Sequence, residues 1–287
     1  MTRLITELLN IAIPLFAASS MAAVGFRYRF RQITAPFRNL QGMVLVLLAN
    51  FVLLPLLAVL IVQLFSLHQP LAIGLILVAS AAGAPFAIKL TQICGGDPAF
   101  SAGILVMLLI VTIAYLPFVL PLLEPGISIN AHAVARPLVL TMLLPLGIAL
   151  LLENQWPGLG ERIEASLINL TNISLITIIA LTFASKLYAL LSFGIGAVLA
   201  AVLLLVSAFG IGYALGIFGT DTRKAVGFTT AQRNYAAAMI VATEAFADPD
   251  VLVMVVVTSV VSTALLFPGA WLMKRYSPHP ALQSISK

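Results

Sequence analysis

Two long stretches of this sequence, Leu40–Phe65 and Val251–Met273, contain no charged residue. Each is longer than the ~20 residues that an α-helix needs to cross the ~30 Å hydrocarbon core of a bilayer. A helix on the surface of a water-soluble protein keeps one polar face, and neither stretch offers one. These two stretches therefore predict that the chain crosses a membrane.

The composition extends this prediction to the whole chain. Hydrophobic residues make up 61% of the 287 residues, and charged residues only 9%. Soluble domains carry about 25% charged residues, so this chain has too few to coat a globule in water. The net charge of +5 does not indicate a nucleic-acid partner, because most cations lie between apolar stretches. The expected surroundings are a lipid bilayer.

Proline, glycine and charged clusters divide the chain into nine apolar stretches. We number them as the first to ninth spans: 4–26, 38–65, 71–94, 98–123, 133–152, 167–186, 190–218, 223–246 and 250–273. The connections are short, which predicts a single membrane domain over residues 1–287. The first span is too long for a signal-peptide core and is expected to be retained. The single cysteine, Cys94, excludes a disulfide within the chain.

The cations in the loops predict the orientation of the spans. With nine spans, ten cations fall on one side and three on the other. The ten are Arg27, Arg29, Arg31, Arg38, Arg162, Arg223, Lys224, Lys274, Arg275 and Lys287, and the three are Arg3, Arg136 and Lys186. The positive-inside rule then predicts that the N-terminus lies outside and the C-terminus in the cytoplasm. The expected location is a cell membrane.

Two of the nine spans are expected to be broken helices. The third span contains the small residues Ser80 to Pro85, and proline removes a backbone donor and clashes with the preceding turn. The eighth span has the polar centre Thr229-Thr230-Ala231-Gln232-Arg233-Asn234, which is too polar to face lipid. Alternatively, Pro85 only kinks the helix of the third span, and the polar residues of the eighth span line a contact with another helix.

Each of these two spans carries one cation near its middle, Lys89 and Arg233. A charge at the centre of a span costs roughly 2.5–3.5 kcal/mol and usually faces a cavity, a partner or a substrate. Paired interrupted helices are typical of transporter binding sites, where half-helix N-termini attract anions. Glu7 and Glu244 lie near span ends and cannot neutralise both cations. An anionic substrate is the natural partner, although both cations could instead bind the carbonyl groups of the broken helices.

At these spans the sequence resembles the bile acid:sodium symporter family. Asn50–Pro55 resembles the family's third helix, and Gly83–Ser101 its first crossover helix with the following turn. Gly210–Gly216 resembles its glycine-rich helix, and Thr229–Ala238 its second crossover helix. The spacing between these blocks also fits, and the resemblance covers nearly the whole chain.

The resemblance implies the fold and the mode of action. It implies an all-α inverted-repeat transporter of the nine-helix type with two broken crossover helices. A core domain (about 38–123 and 190–273) and a panel domain (about 4–26 and 133–186) would enclose the substrate. Transport would proceed by alternating access as the two domains move relative to each other.

The sequence departs from the family at its sodium sites. Thr229 stands where the family has a glutamate of the second crossover helix. Arg233 replaces the glutamine of the following Gln-Asn pair, while Asn234 is kept. At the other sodium-site positions, Ser101 is retained and Asn50 replaces a glutamine. Leu105 replaces a hydroxyl residue. A Ser-Asn pair of the family is replaced by Ala87-Ile88, directly before Lys89.

With the carboxylate lost and two cations gained, the sequence predicts a secondary transporter of organic anions that does not use sodium. Lys89 and Arg233 would supply the charge of the sodium ion. The candidate substrate- and ion-binding residues are Lys89, Arg233, Asn234, Thr229, Thr230, Gln232, Asn50, Ser101, Thr91 and Pro85. No cofactor, bound metal or catalytic residue is predicted.

Several alternatives stay open at this point. A buried lysine can lose its proton, so Lys89 could couple transport to protons, and sodium coupling or an anion channel are further possibilities. Auxin-carrier-like transporters also cross two broken helices without sodium. Arsenite-type carriers need a thiol at the crossover, whereas Cys94 is interpreted as a small buried residue. The enzyme motifs H-E-x-x-H and G-x-S-x-G do not occur in the sequence.

Overall fold

The computed structural model of the protein describes residues 2–34, 39–123, 131–192, 194–216 and 219–276, and all regular structure in these ranges is helical. Six stretches of helix there are long and apolar enough to cross a membrane: Glu7–Arg27, Leu40–Phe65, Pro98–Val119, Ala135–Gln155, Ile195–Leu215 and Pro249–Arg275. The chain is therefore a polytopic α-helical membrane protein, as the sequence predicted. Two of the orienting cations, Arg38 and Lys287, lie outside the described residues.

The α-helices are numbered in chain order. They are α1 Thr2–Arg27, α2 Phe30–Thr34, α3 Leu40–Leu48, α4 Leu54–Phe65, α5 Gln69–Ser80, α6 Phe86–Ile93, α7 Pro98–Leu123, α8 Ala131–Leu138, α9 Leu144–Gln155, α10 Leu159–Ser192, α11 Gly194–Leu215, α12 Thr220–Ala231, α13 Tyr235–Ala245 and α14 Pro249–Tyr276. The predicted sixth span lies inside α10.

The third and eighth predicted spans are each divided into two helices. α5 ends at Ser80 and α6 begins at Phe86, while α12 ends at Ala231 and α13 begins at Tyr235. Gly83 has a φ of +84°, a conformation that glycine adopts without steric cost. A Cβ atom at Gly83 would also lie 2.6 Å from the backbone nitrogen of Leu109. The first interruption therefore depends on this glycine.

Two turns of π-helix, Ala49–Leu53 and Val139–Leu143, each precede a Leu-Pro pair. Proline has no N–H group to close the usual bond to the fourth preceding carbonyl, so the helix widens there. The carbonyl of Phe51, which Pro55 leaves free, accepts a hydrogen bond from the Tyr115 hydroxyl at 2.7 Å. The first π turn places Asn50 inside the protein, with no exposed surface.

The helices form two groups that pack against each other. In the first group, α1 packs closely on α9 and α10. Gly25 of α1 permits this, because a Cβ atom there would lie 2.6 Å from the carbonyl oxygen of Leu146. In the second group, α5, α6 and α7 pack against α11 to α14. The main hydrophobic core joins both groups and includes Ile13, Leu75, Leu109 and Val255.

Two contacts join segments that lie next to the ends of different helices. Arg27, at the end of α1, forms an ion pair of 2.9 Å with Glu164, near the start of α10. The amide of Asp97, between α6 and α7, donates to the carbonyl of Asp221, near the start of α12, at 3.3 Å. In the predicted arrangement these four residues belong to the same membrane face.

Candidate functional site

The two helix interruptions lie against each other and are joined through Asn234. Its backbone amide donates to the carbonyl of Ala81 at 2.9 Å. Its side-chain amide donates to the carbonyl of Gly83, also at 2.9 Å, and its side-chain oxygen caps α13 by accepting from Ala237 N at 3.0 Å. Asn234 therefore satisfies backbone groups of both interruptions that would otherwise be left without partners.

The side chain of Arg233 is enclosed by oxygen atoms. It is 1% exposed and donates to the carbonyl groups of Val78 at 3.2 Å, Ala79 at 2.7 Å and Thr230 at 3.0 Å, and to Oδ1 of Asn50 at 2.5 Å. None of these partners is a carboxylate. Val78 and Ala79 belong to the last turn of α5, and the negative end of that helix dipole stabilises a cation.

Asn50 and Thr230 complete this oxygen cluster. The Asn50 amide donates to Val46 O at 2.9 Å and to the Thr230 hydroxyl at 3.3 Å. Both side chains are fully buried. The cluster thus links the π turn of the second span to both helix interruptions.

Three predicted residues form a separate set of buried hydroxyls, which we call the hydroxyl cluster. The hydroxyl oxygens of Ser101 and Thr229 are 2.9 Å apart, and those of Thr91 and Ser101 are 3.3 Å apart. Thr91 donates to Ala87 O at 2.8 Å and Thr229 to Ala225 O at 2.6 Å. The hydroxyl cluster connects α6, α7 and α12 and contains no carboxylate. Gln232 is also buried but has a different partner, because its Oε1 accepts from Ser262 at 2.9 Å.

Lys89 and Pro85 line a cavity of about 280 Å³ between α1, α6, α10 and α14. Most of its wall is apolar, with Val24, Phe86, Ile88, Ile168 and Phe267 among the lining side chains. Lys89 is exposed, and we find no hydrogen-bond or ion-pair partner for it among the described residues. Its ammonium group is therefore available to a ligand in this cavity.

The structure separates the two predicted cations. Lys89 lines the cavity, whereas Arg233 does not line it and is buried among protein oxygens. Arg233 thus has the environment that the sequence left open as an alternative, bonded to carbonyl groups of the broken helices. The ten predicted residues therefore lie in five places: the junction at Asn234, the oxygen cluster around Arg233, the hydroxyl cluster, the Gln232–Ser262 contact and the cavity.

Other cavity residues were not predicted from the sequence. Arg27 and Glu164 form an ion pair in its wall, with side chains that are 38% and 25% exposed. The hydroxyl of Tyr28 is buried and makes no hydrogen bond with the described residues. Burial raises the pKa of Tyr28, so the phenol keeps its proton and can act as a donor. The sequence signal for these residues was weak: a tyrosine between two arginines and an acidic residue on the cation-rich side.

Comparison with known proteins gives two findings. Residues 14–193 match the model of a family described as "Sodium Bile acid symporter family". A rice protein (Oryza sativa subsp. japonica) named "Probable sodium/metabolite cotransporter BASS2, chloroplastic" is 27% identical over 254 residues. The match covers 87% of this chain, and the chain spans 59% of that relative's length. The family match includes Lys89 and the first interruption, while Arg233 and the second interruption lie beyond it.

Proposed function

Because this chain belongs to the sodium bile acid symporter family, we propose that it is a secondary transporter of organic anions that works by alternating access and does not use sodium. The chain would cross the membrane nine times with its N-terminus outside. The third and eighth spans would be the crossover helices. The core would comprise residues of about 38–123 and 190–273. The panel would comprise about 4–26 and 133–186.

The packing of the helices supports this division. α1 packs closely on α9 and α10, and these helices belong to the proposed panel. The cavity lies between α1 and α10 on one side and α6 and α14, which belong to the proposed core, on the other. A substrate in this cavity would touch both domains, as alternating access requires.

The observation that carries the choice of an anion is the ammonium group of Lys89 in this cavity, which has no partner among the described residues. A cation in an otherwise mostly apolar cavity favours a ligand that combines the opposite charge with an apolar body. The ligand's apolar part would pack against residues such as Phe86 and Phe267. Organic anions combine these two properties.

The environment of Arg233 supports independence from sodium. A bound cation in a protein needs several oxygen ligands, and here the carbonyl and amide oxygens converge on a guanidinium group. Arginine keeps its charge at accessible pH, so it supplies a permanent cation at the helix interruptions. The nearby hydroxyl cluster, formed by Thr91, Ser101 and Thr229, contains no carboxylate that would attract sodium.

The proposal is tested by binding followed by transport. A panel of carboxylates and sulfates is screened for thermal stabilisation of the purified full chain, because a ligand of the folded state raises its stability. Uptake of the best binder into proteoliposomes is then compared in sodium and potassium buffers. We expect saturable uptake that is equal in both cations and lost in Lys89→Ala. Lys274→Ala, which removes an exposed lysine outside the cavity, is the matched control and should behave as wild type.

A steep, saturable dependence on sodium would contradict the sodium-independent part of this proposal. Uptake that does not saturate with substrate concentration would favour an anion channel. Normal uptake by Lys89→Ala would remove the main argument for the cavity as the anion site.

A further inference from the structure

The cavity holds three charged side chains among the residues that line it: Arg27, Lys89 and Glu164. Two of these already neutralise each other, because Arg27 Nη1 lies 2.9 Å from Glu164 Oε1. Lys89 is left without a counter-ion among the described residues. Among the described residues, the cavity therefore carries one unpaired positive charge.

The remaining polar side chains that line the cavity, Ser20, Tyr28, Thr171 and Asn172, carry no charge. The Ser20 hydroxyl donates to Ala17 O at 2.9 Å. The Thr171 hydroxyl is engaged by Ser19 at 2.8 Å and donates to Leu167 O at 2.8 Å. The Tyr28 hydroxyl is buried and is not open to a ligand. These groups therefore add no second cation to the cavity.

The size of the cavity limits the rest of the ligand. Its volume of about 280 Å³ lies just below the ~300–1,000 Å³ of cavities that hold drug-sized ligands. Its apolar wall, which includes Phe86, Ile88 and Ile168, favours a compact hydrocarbon body. The volume therefore favours a small ligand, and the wall favours one with few hydroxyl groups.

We infer that the cavity selects small monocarboxylates over dicarboxylates, and that Glu164 sets this selectivity by neutralising Arg27. This inference rests on the proposed anion transport. A second carboxylate in the cavity would find no free cation and would meet the like charge of Glu164. An unpaired charge in a partly enclosed site loses hydration without compensation.

The test uses two ligands with the same five-carbon backbone, valerate with one carboxylate and glutarate with two. Their dissociation constants are measured by calorimetry on the purified full chain. For the wild-type protein we expect glutarate to bind at least about tenfold more weakly than valerate, a difference of ~1.4 kcal/mol. Valeramide, the neutral analogue, should bind more weakly than valerate because it offers no charge to Lys89.

Glu164→Gln frees Arg27 while keeping the shape of the side chain. In this variant we expect the ratio of the glutarate to the valerate dissociation constant to fall by about tenfold. The matched control is Glu161→Gln, which removes the same charge from an exposed position on α10 that does not line the cavity. The ratio should stay at the wild-type value in this control.

A second variant keeps the inference testable if Glu164→Gln does not fold. Arg27→Gln leaves the Glu164 carboxylate without its partner, and the net charge of the cavity falls to zero. Valerate should then bind at least about tenfold more weakly.

The inference is wrong if glutarate binds the wild-type protein as well as valerate does, or if neither Glu164→Gln nor Arg27→Gln changes binding in the stated direction. These outcomes leave the proposed function intact as long as anion binding still depends on Lys89. If instead neither anion binds better than valeramide, the proposed anion site itself fails.

Discussion

Arg233 donates a hydrogen bond to the side-chain oxygen of Asn50, and the nitrogen of the same Asn50 amide donates to the hydroxyl of Thr230. This relationship fixes the second helix interruption to the π turn of the second span. Arg233 also holds the last carbonyl groups of α5. The buried cation is thus a connection between three parts of the chain.

The two cations should differ when each is removed. Arg233→Ala leaves several buried oxygens without donors, and each such group costs about 1–3 kcal/mol. We expect a loss of at least ~3 kcal/mol in the free energy of unfolding. Lys89→Ala removes an exposed side chain and should change stability by less than about 0.5 kcal/mol while abolishing anion binding. Thermal unfolding and ligand titration of both variants in the same detergent measure the two effects.

The opposite pattern would reverse the assigned roles. If Arg233→Ala were as stable as wild type and lost anion binding, Arg233 would be the residue that faces the ligand. Lys89→Arg offers a further check on Lys89. A fixed positive charge should support transport in this variant, whereas a mechanism that releases a proton would stop, because arginine does not deprotonate.

Sodium should leave the stability of the wild-type protein unchanged. A ligand that binds the folded state raises the unfolding temperature with its concentration, so equal temperatures in sodium and potassium buffers are expected. Thr229→Glu places a carboxylate beside the hydroxyl of Ser101 and should introduce stabilisation by sodium. Thr243→Glu, an exposed position on α13, is the control and should show none. Stabilisation of the wild-type protein by sodium would contradict this prediction and would indicate that the hydroxyl cluster binds the ion.

Tyr28→Phe should leave anion binding unchanged. The hydroxyl is buried and makes no hydrogen bond with the described residues, so its removal should leave the free energy of unfolding unchanged or raise it. Because the buried oxygen is not open to the cavity, the dissociation constant of valerate should stay at the wild-type value. Differential scanning fluorimetry and calorimetry measure the two quantities. An affinity about tenfold weaker would show that the ligand reaches Tyr28.

Gly83→Ala should be strongly destabilising because it combines two penalties. The residue has a positive φ, which costs a non-glycine residue about 1–2 kcal/mol, and its Cβ would lie 2.6 Å from Leu109 N. We expect a total loss of about 2–5 kcal/mol. Gly95→Ala has a φ of +72° but no atom within 4 Å of the added Cβ, so only about 1–2 kcal/mol should be lost. Equal losses would contradict the close contact with α7.

The orientation of the chain can be tested with single cysteines. Arg31→Cys and Arg275→Cys should react with a membrane-impermeant reagent from the cytoplasmic side, and Lys186→Cys from the outside. The native Cys94 is fully buried, which keeps background labelling low. Labelling of Lys186→Cys from the cytoplasm would contradict the nine-span arrangement.

The features that depend on local sequence were predicted correctly. Pro85 lacks the N–H group of a regular helix and clashes with the preceding turn, and the helix is interrupted between Ser80 and Phe86. The membrane class followed from the long uncharged stretches, and Cys94 is buried as expected. These properties arise from backbone conformation and hydrophobicity within a short segment, so a single sequence is sufficient to predict them.

The division of roles between Lys89 and Arg233 could not be predicted in this way. Both are cations near the middle of an interrupted span, and their environments differ only through tertiary contacts. Arg233 meets Asn50, which lies 183 positions earlier in the chain. The pairing of Arg27 with Glu164 spans 137 positions. Neither sequence spacing nor composition reports such contacts.

The oxygen cage around Arg233 has a consequence for what can drive transport. A sodium ion enters and leaves a carrier, and its gradient can force a substrate uphill. A guanidinium group that belongs to the polypeptide returns unchanged after every cycle and brings no free energy from outside. On the proposed mechanism, with no other coupling ion, net transport then runs only down the substrate's own electrochemical gradient, and at equilibrium the membrane potential sets the ratio of the anion across the membrane. Net import would depend on how fast the cell removes the imported compound.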